Sequence, residues 1–365
     1  MIFLLDLANL LVCLLIIIIT LRFKIIPTWI GVILIIESFI PYFLNDILFP
    51  ASYMSDQFRY FETVKELRNF NFNYDENHKV LITGWILSFL PLPFAETINS
   101  IGFYNRFMYL VIFIWLYKKN FLSGIPLYIL LFYPSLLLYT SLSLRDPLIM
   151  ILMILIVIFF LEKKYIFSIS ITILLYFIKF QNFFLMIAFL LFFTILKKET
   201  LFYRLRYIIL FFIILIIFPF SGEIIAALNF YRRAMFLEDG GNIEIFLPIS
   251  HISDLIILGL SSVPYFLLKP FIWESTNLFQ IIQSFENIIL LIILYFFILQ
   301  AYRKDSFITI KWLIFLVFSL SIYGLVVYNF GTAARYKFPF IIIFTIGLSY
   351  EIYKLNGYKF ARIFK

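Results

Sequence analysis

Uncharged apolar runs recur from one end of this chain to the other, among them residues 148–161, 207–218 and 288–299. A backbone placed in hydrocarbon must satisfy its own N–H and C=O groups, which only helices and closed β-barrels achieve. Barrel strands alternate apolar and polar residues, and these runs do not alternate. Several of them extend to about the 17–25 residues that carry a helix across a bilayer. The charged fraction is 14% and the hydrophobic fraction 64%, whereas a soluble domain carries about 25% charged residues. The expected fold class is an all-α polytopic membrane protein, one integral membrane domain over residues 1–365.

The opening stretch "MIFLLDLANLLVCLLIIIITLRFK" has no basic residue before its apolar core. It reads as a retained first span rather than a cleaved signal, which would begin with a positive segment. Cys13 is the sole cysteine, so an intrachain disulfide is excluded. His78 and His251 match no metal-ligand spacing, and no Gly-rich phosphate loop is present, so neither metal nor cofactor is expected. The net charge of +8 invites a nucleic-acid reading. Basic pairs flanking the apolar runs account for most of it, as cytoplasmic loops concentrate Lys and Arg. No nucleic-acid partner is needed.

Those pairs (Arg22/Lys24, Lys118/Lys119, Lys163/Lys164, Lys197/Lys198, Arg303/Lys304) anchor a topology with the C-terminus inside. Spans are expected at about 3–21, 26–44, 121–140, 147–161, 165–179, 183–196, 207–228, 281–301, 308–328 and 338–353. One further crossing within 81–117 brings the total to roughly eleven transmembrane helices. The segments near 80–95 and 255–272 contain prolines and are expected to be re-entrant or interfacial. Outer loops then fall at about 45–80, 141–147, 229–254 and 329–337. An N-in arrangement, with both apolar stretches of 81–117 spanning, is the rival.

On this topology Arg59, Arg68, Arg145, Lys179, Arg232, Arg233, Arg335 and Lys337 lie outside, against the charge rule. Charges held close to a membrane point to function, and arginine's planar fork suits phosphate and carboxylate. In "YTSLSLRDPLIM" (residues 139–150), Asp146 as N-cap and Pro147 at the first helical position need no function. Arg145 is left over, because a cation at a helix N-terminus opposes the macrodipole.

"YRRAMFLEDGG" carries Arg232, Arg233, Glu238 and Asp239 before a glycine pair. It reads either as a solvated loop with a local salt bridge or as a mobile flap over an amphiphilic ligand. "NFGTAARYK" puts small residues before Arg335, Tyr336 and Lys337, an ordinary connection or a close backbone approach to an anion. In the 45–80 loop, Arg59 sits on an expected amphipathic helix with Phe58, Phe61 and Leu67 as its apolar side and Asp56 as its cap. His251 and Asp254 fall near a helix start, where Asp254 reads as a cap; Asp6 and Glu37 are carboxylates inside the first two spans but close to their ends.

Together, "YPSLLLYTSLSLRDPLIM", "YRRAMFLEDGG", "LLKPFIWE" and "NFGTAARYKFPFI" resemble the Wzy-type polymerases of bacterial O-antigen and capsule assembly. The resemblance covers about a quarter of the chain, spread over its C-terminal two-thirds, and rests on the ensemble rather than on one motif. It implies a GT-C-like glycosyltransferase of the bacterial inner membrane that is active on the periplasmic face. Such an enzyme joins undecaprenyl-diphosphate-linked oligosaccharide repeat units, with membrane lipid and a chain-length regulator protein as partners. It also implies roles. Arg145, Arg232 or Arg233, and Arg335 would bind the diphosphate and stabilise the leaving group. The general base would come from Asp146, Glu238, Asp239 and Asp56. Asp56, Arg59, Lys179, His251, Tyr336 and Lys337 are the expected substrate contacts.

Two other readings stay open. An O-antigen ligase, or another transferase of lipid-linked sugar, shares the plan and differs in its acceptor. A flippase or transporter of lipid-linked oligosaccharide should line a mid-membrane cavity with polar residues and show repeat symmetry. Outer-loop charges and the lack of a repeat favour the enzyme.

Overall fold

A computed structural model describes residues 2–72, 76–197, 201–208, 211, 215, 218–238, 244 and 246–355. These residues are predominantly helical and contain no strand, only an isolated bridge between Asn45 and Phe49. Among them, Ile98–Lys118, Leu278–Lys304 and Ser306–Val326 are long and apolar enough to cross a membrane, accompanied by shorter apolar helices. The all-α class therefore stands among the described residues, with three helices that could cross a membrane by length and composition. The chain divides into two compact units, residues 1–184 with 353–365 and residues 185–352.

The first unit begins with α1 (Ile2–Leu5), α2 (Leu7–Arg22), α3 (Thr28–Glu37) and α4 (Ile40–Leu44). The expected second span is thus interrupted at Ser38, whose hydroxyl bonds back to the Leu34 carbonyl at 2.7 Å. Then come α5 (Asp56–Arg68), α6 (His78–Ser88) and α7 (Ile98–Lys118). α7 is buried on nearly every side and packs on α2, α4 and α5. Its start is fixed by Thr97, which accepts from the Ser100 amide at 3.1 Å. The buried Asp6 accepts from the Thr97 and Ser100 hydroxyls at 2.5 Å each. Asp6 is therefore a tie between the chain's first turns and α7.

Eleven residues make α6 about 16 Å long, roughly half the hydrocarbon thickness. Arg68 gathers the last carbonyl of α6 and two from the segment that follows it, donating to Ser88 (3.1 Å), Leu90 (2.7 Å) and Leu92 (2.5 Å). The helix ends at Ser88, before the prolines at 91 and 93. The face expected for α5 is corrected in part: Leu67 is buried as expected, together with Gln57, Tyr60, Thr63 and Val64, while Phe58 is exposed. Packing against α6 and α7 selects that side. Asp56 is the first helical residue and Ser55 holds the cap position.

The span expected at 121–140 is two helices, α8 (Ile125–Phe132) and α9 (Pro134–Tyr139), because Pro134 cannot continue α8's hydrogen-bond ladder. α10 (Asp146–Leu161) and α11 (Tyr165–Ile178) pack as a hairpin. Lys179 alone separates α11 from α12 (Phe180–Ile195), so "KFQN" is mostly helix rather than loop.

The second unit contains α13 (Leu201–Arg204), α14 (Ser221–Glu238), α15 (Ile252–Leu268), α16 (Leu278–Lys304), α17 (Ser306–Val326) and α18 (Phe330–Leu355). Two expected outer loops are helical. "NFYRRAMFLE" completes α14, and "GTAARYK" begins α18, with the Asn329 side chain accepting from the Gly331 amide at 2.8 Å. Ala, Arg, Met, Leu and Glu are good helix formers, and that preference outweighs the charge that suggested loops.

α16 and α17 form an antiparallel hairpin around Asp305, which caps α17 by accepting from the Ile308 amide at 2.8 Å. α15 runs straight through Pro264, so the break expected there does not occur. It packs on the C-terminal part of α17, where the Ser262 hydroxyl lies 3.4 Å from the Ser321 carbonyl. The chain after α15 is bonded to the N-terminal half of α16 through Ser284 and Asn287. Residues 252–277 are thus tied to both helices of the hairpin.

Candidate functional site

The first candidate cluster lies at the turn between α9 and α10. Two side chains from elsewhere in the first unit hold that turn. The Asn105 amide on α7 donates to the carbonyls of Leu142 (2.5 Å) and Leu144 (2.7 Å). Gln57 on α5 accepts from the Ser143 amide at 3.3 Å, and the Ser143 hydroxyl donates to the Gln57 carbonyl at 3.2 Å. Gly102 lets α7 approach, since a Cβ there would stand 2.4 Å from the Ser141 carbonyl oxygen.

The turn ends in Arg145, which occupies the N-cap position of α10 with no side-chain cap bond. Asp146 is the first helical residue, so its expected role as N-cap is corrected. Its carboxylate lies instead 3.9 Å from the Lys179 ammonium, with side-chain exposures of 3% and 6%. Arg145 is half-buried; its Nη1 reaches the Ile178 carbonyl at 3.4 Å, and its buried Nε has no hydrogen-bond partner among the described residues. Two cations and one carboxylate converge here at the positive end of a helix. The site has one net positive charge and an open N–H, which suits an anion.

In the second unit the paired arginines diverge. Arg232 is buried; its Nε donates to the Leu325 carbonyl (3.0 Å) and its Nη1 to the Leu247 carbonyl (3.1 Å) and Asn229 Oδ1 (3.3 Å). It joins α14 to α17 and to the segment before α15, a structural duty. Arg233 is exposed and lines a groove of about 490 Å³ with Ala226, Asn229, Phe230, Phe246 and Pro248. The groove pairs apolar walls with one guanidinium. Glu238 closes α14, its side chain lying outside the described residues together with Asp239.

Lys337, expected as a substrate contact, is fully buried and donates to Asn287 Oδ1 and to the Leu267 carbonyl at 3.2 Å. Its neighbours Arg335 and Tyr336 are half-exposed; the Tyr336 ring meets Tyr323 at 5.0 Å. His251 is exposed at the N-cap of α15, where its amide donates to Asp254 at 3.1 Å, so Asp254 serves the helix start from inside the first turn. Arg59 is exposed and paired with Glu76. The guanidinium foremost, and then the Asn77 amide, hold the Glu76 carboxyl below its ordinary value of 4.5.

The sequence reading missed the ion pair between Arg106 on α7 and Glu37 on α3, both buried. Glu37 Oε1 and Arg106 Nε and Nη1 have no hydrogen-bond partner among the described residues. It also missed Asn105 and Gln57. The available signal was "NSIGFYNR", where Asn99, Gly102, Asn105 and Arg106 recur at helical spacing in an otherwise apolar run. Compared with protein-family models, curated proteins and solved structures, the chain matches none.

Proposed function

We propose that this chain is a membrane glycosyltransferase. It joins undecaprenyl-diphosphate-linked oligosaccharide repeat units into O-antigen or capsular polysaccharide at the periplasmic face of a bacterial inner membrane. The roughly eleven-span, GT-C-like arrangement belongs to this proposal. One observation carries it: Arg145 has a buried N–H with no hydrogen-bond partner among the described residues, beside the Lys179–Asp146 pair.

In the proposed reaction an acceptor hydroxyl attacks the anomeric carbon of the donor. The bond from that carbon to the phosphate oxygen breaks, and undecaprenyl diphosphate departs with the electron pair. Arg145 stabilises the charge gathering on the diphosphate, and Arg233, beside an apolar groove, suits the same headgroup near its lipid tail. Asp146, already engaged by Lys179, is a weaker candidate for the base than Asp56, Glu238 or Asp239.

Transport of the same lipid-linked substrate is the second reading. The incompletely bonded Glu37–Arg106 pair in the interior of the first unit favours it, because intramembrane charges mark pathways.

Deleting the gene and running the surface polysaccharide on a gel separates the two. Polymerase loss leaves single repeat units attached where long chains were. Transporter or ligase loss leaves no attached glycan, and that outcome sinks the leading reading. Arg145→Ala, Arg233→Ala and Arg335→Ala should each abolish elongation while the protein inserts normally. Wild-type chain lengths in all three would refute the diphosphate clamp.

A further inference from the structure

The loop between α15 and α16 is anchored by polar groups that the proposed chemistry does not use. Asn287, 2% exposed, donates to the Leu268 (3.2 Å) and Lys269 (2.8 Å) carbonyls. Ser284, 1% exposed, donates to the Pro270 carbonyl at 2.7 Å. The buried Lys337 ammonium donates to Asn287 and to the Leu267 carbonyl. Burying an ammonium is costly unless it is well hydrogen-bonded, so this loop is fixed in place by an expensive arrangement.

What the anchored loop presents is a flat aromatic pair. Phe271 and Trp273 stack with ring centroids 4.8 Å apart and an interplanar angle of 4°, and Trp273 is 80% exposed. The next four residues are Glu274, Ser275, Thr276 and Asn277, all polar. The Gln280 side-chain oxygen accepts from the Thr276 amide at 2.7 Å, and the Asn277 oxygen accepts from the Gln280 amide at 3.0 Å. Among the described residues these bonds engage the side-chain oxygens and leave both side-chain amide nitrogens as donors. Close by, the Lys269 ammonium lies 3.7 Å from the centre of the Tyr265 ring.

We propose that Trp273, backed by Phe271, is a stacking platform for a pyranose ring, with the Asn277 and Gln280 amides as partners for its hydroxyls. The inference rests on the glycan-polymerase reading and names a sugar subsite for it. A pyranose has an apolar C–H face and a rim of hydroxyls, so it calls for a flat aromatic surface with amide groups alongside. A tryptophan in an interfacial belt has an amphipathic ring that serves lipid headgroups. It needs neither a buried lysine beneath its loop nor amide donors in the next turn.

The test uses full-length protein in nanodiscs and, as probe, the repeat-unit oligosaccharide released by mild acid from the host's own undecaprenyl-linked pool. Calorimetric titration should show Trp273→Ala binding the saccharide about tenfold more weakly, equivalent to about 1.4 kcal/mol. Trp273→Phe should fall between, and Arg145→Ala should bind normally because the free saccharide lacks the diphosphate. Truncating so exposed a ring leaves no cavity, so the unfolding midpoint of both Trp273 variants should match wild type.

Unchanged saccharide affinity in Trp273→Ala overturns the subsite. So does a fluorescence component, missing in Trp273→Phe, that brominated lipid quenches and saccharide does not alter. The polymerase reading fails separately, through the gene-deletion gel. Single repeat units on that gel with wild-type binding in Trp273→Ala would remove the subsite alone.

Discussion

The Lys179 ammonium lies 3.9 Å from the Asp146 carboxylate in the buried interior beside the α9–α10 turn. This pair, rather than helix capping, explains why an aspartate follows Arg145. Breaking a buried pair by removing one partner is strongly destabilising, by about 3–5 kcal/mol. Asp146→Ala is therefore expected to lower the unfolding midpoint markedly. Arg145→Ala, which loses one long bond to the Ile178 carbonyl, should unfold near the wild-type temperature yet lose elongation. Thermal unfolding in detergent, read beside polysaccharide gels, checks both.

Arg232 and Arg233 are adjacent in sequence and opposite in expected effect. Arg232→Ala leaves the carbonyl of the buried Leu325 without its donor and breaks the tie to Leu247; an unsatisfied buried group costs about 1–3 kcal/mol. Arg233→Ala removes an exposed side chain and should change stability by no more than about 0.5 kcal/mol. The prediction is an unstable Arg232 variant and a stable but inactive Arg233 variant. Equal stability of the two would contradict the structural role of Arg232.

The pH dependence of the 45–80 region follows from Glu76. Its carboxyl is held below 4.5 by Arg59 and the Asn77 amide. A depressed carboxyl contributes stability that is fully present above its unfolded value and lost as pH falls through its folded value. The loss therefore begins near 4.5 and continues downward. Arg59 is half exposed, so solvent screening holds the effect to roughly 0.5 kcal/mol. Protease cleavage of residues 69–77, followed from pH 6 to 3.5, should accelerate in wild type and be nearly flat in Glu76→Gln.

The fold class was legible because uncharged runs without alternation admit little besides helices. The break after Ser88 was legible from Pro91 and Pro93. "YRRAMFLE" and "GTAARYK" were misjudged as loops because charge was weighed above helix propensity. Arg232 shows why that fails, since main-chain carbonyls of other elements satisfy its guanidinium. The supports of the Arg145 turn were hidden for a different reason. Gln57 and Ser143 are 86 residues apart, and Glu37 and Arg106 are 69 apart. No local pattern encodes such pairings; only the helical recurrence of polar residues in "NSIGFYNR" hinted at them.

Gly102 offers the sharpest test of whether the turn's position matters to activity. A methyl group there would lie 2.4 Å from the Ser141 carbonyl oxygen, well inside contact distance, and a backbone atom cannot swing aside as a side chain can. Gly102→Ala must therefore push α7 and the 140–145 turn apart, weakening the Asn105 bonds to Leu142 and Leu144 that hold the approach to Arg145. Overpacking of this kind costs about 1–3 kcal/mol. Gly222→Ala is the control: nothing lies within 4 Å of its added carbon, so stability and elongation should both stay at wild-type levels. If Gly102→Ala is destabilised but still elongates chains normally, the geometry of the turn is not what activity depends on, and Arg145 loses its claim to the diphosphate.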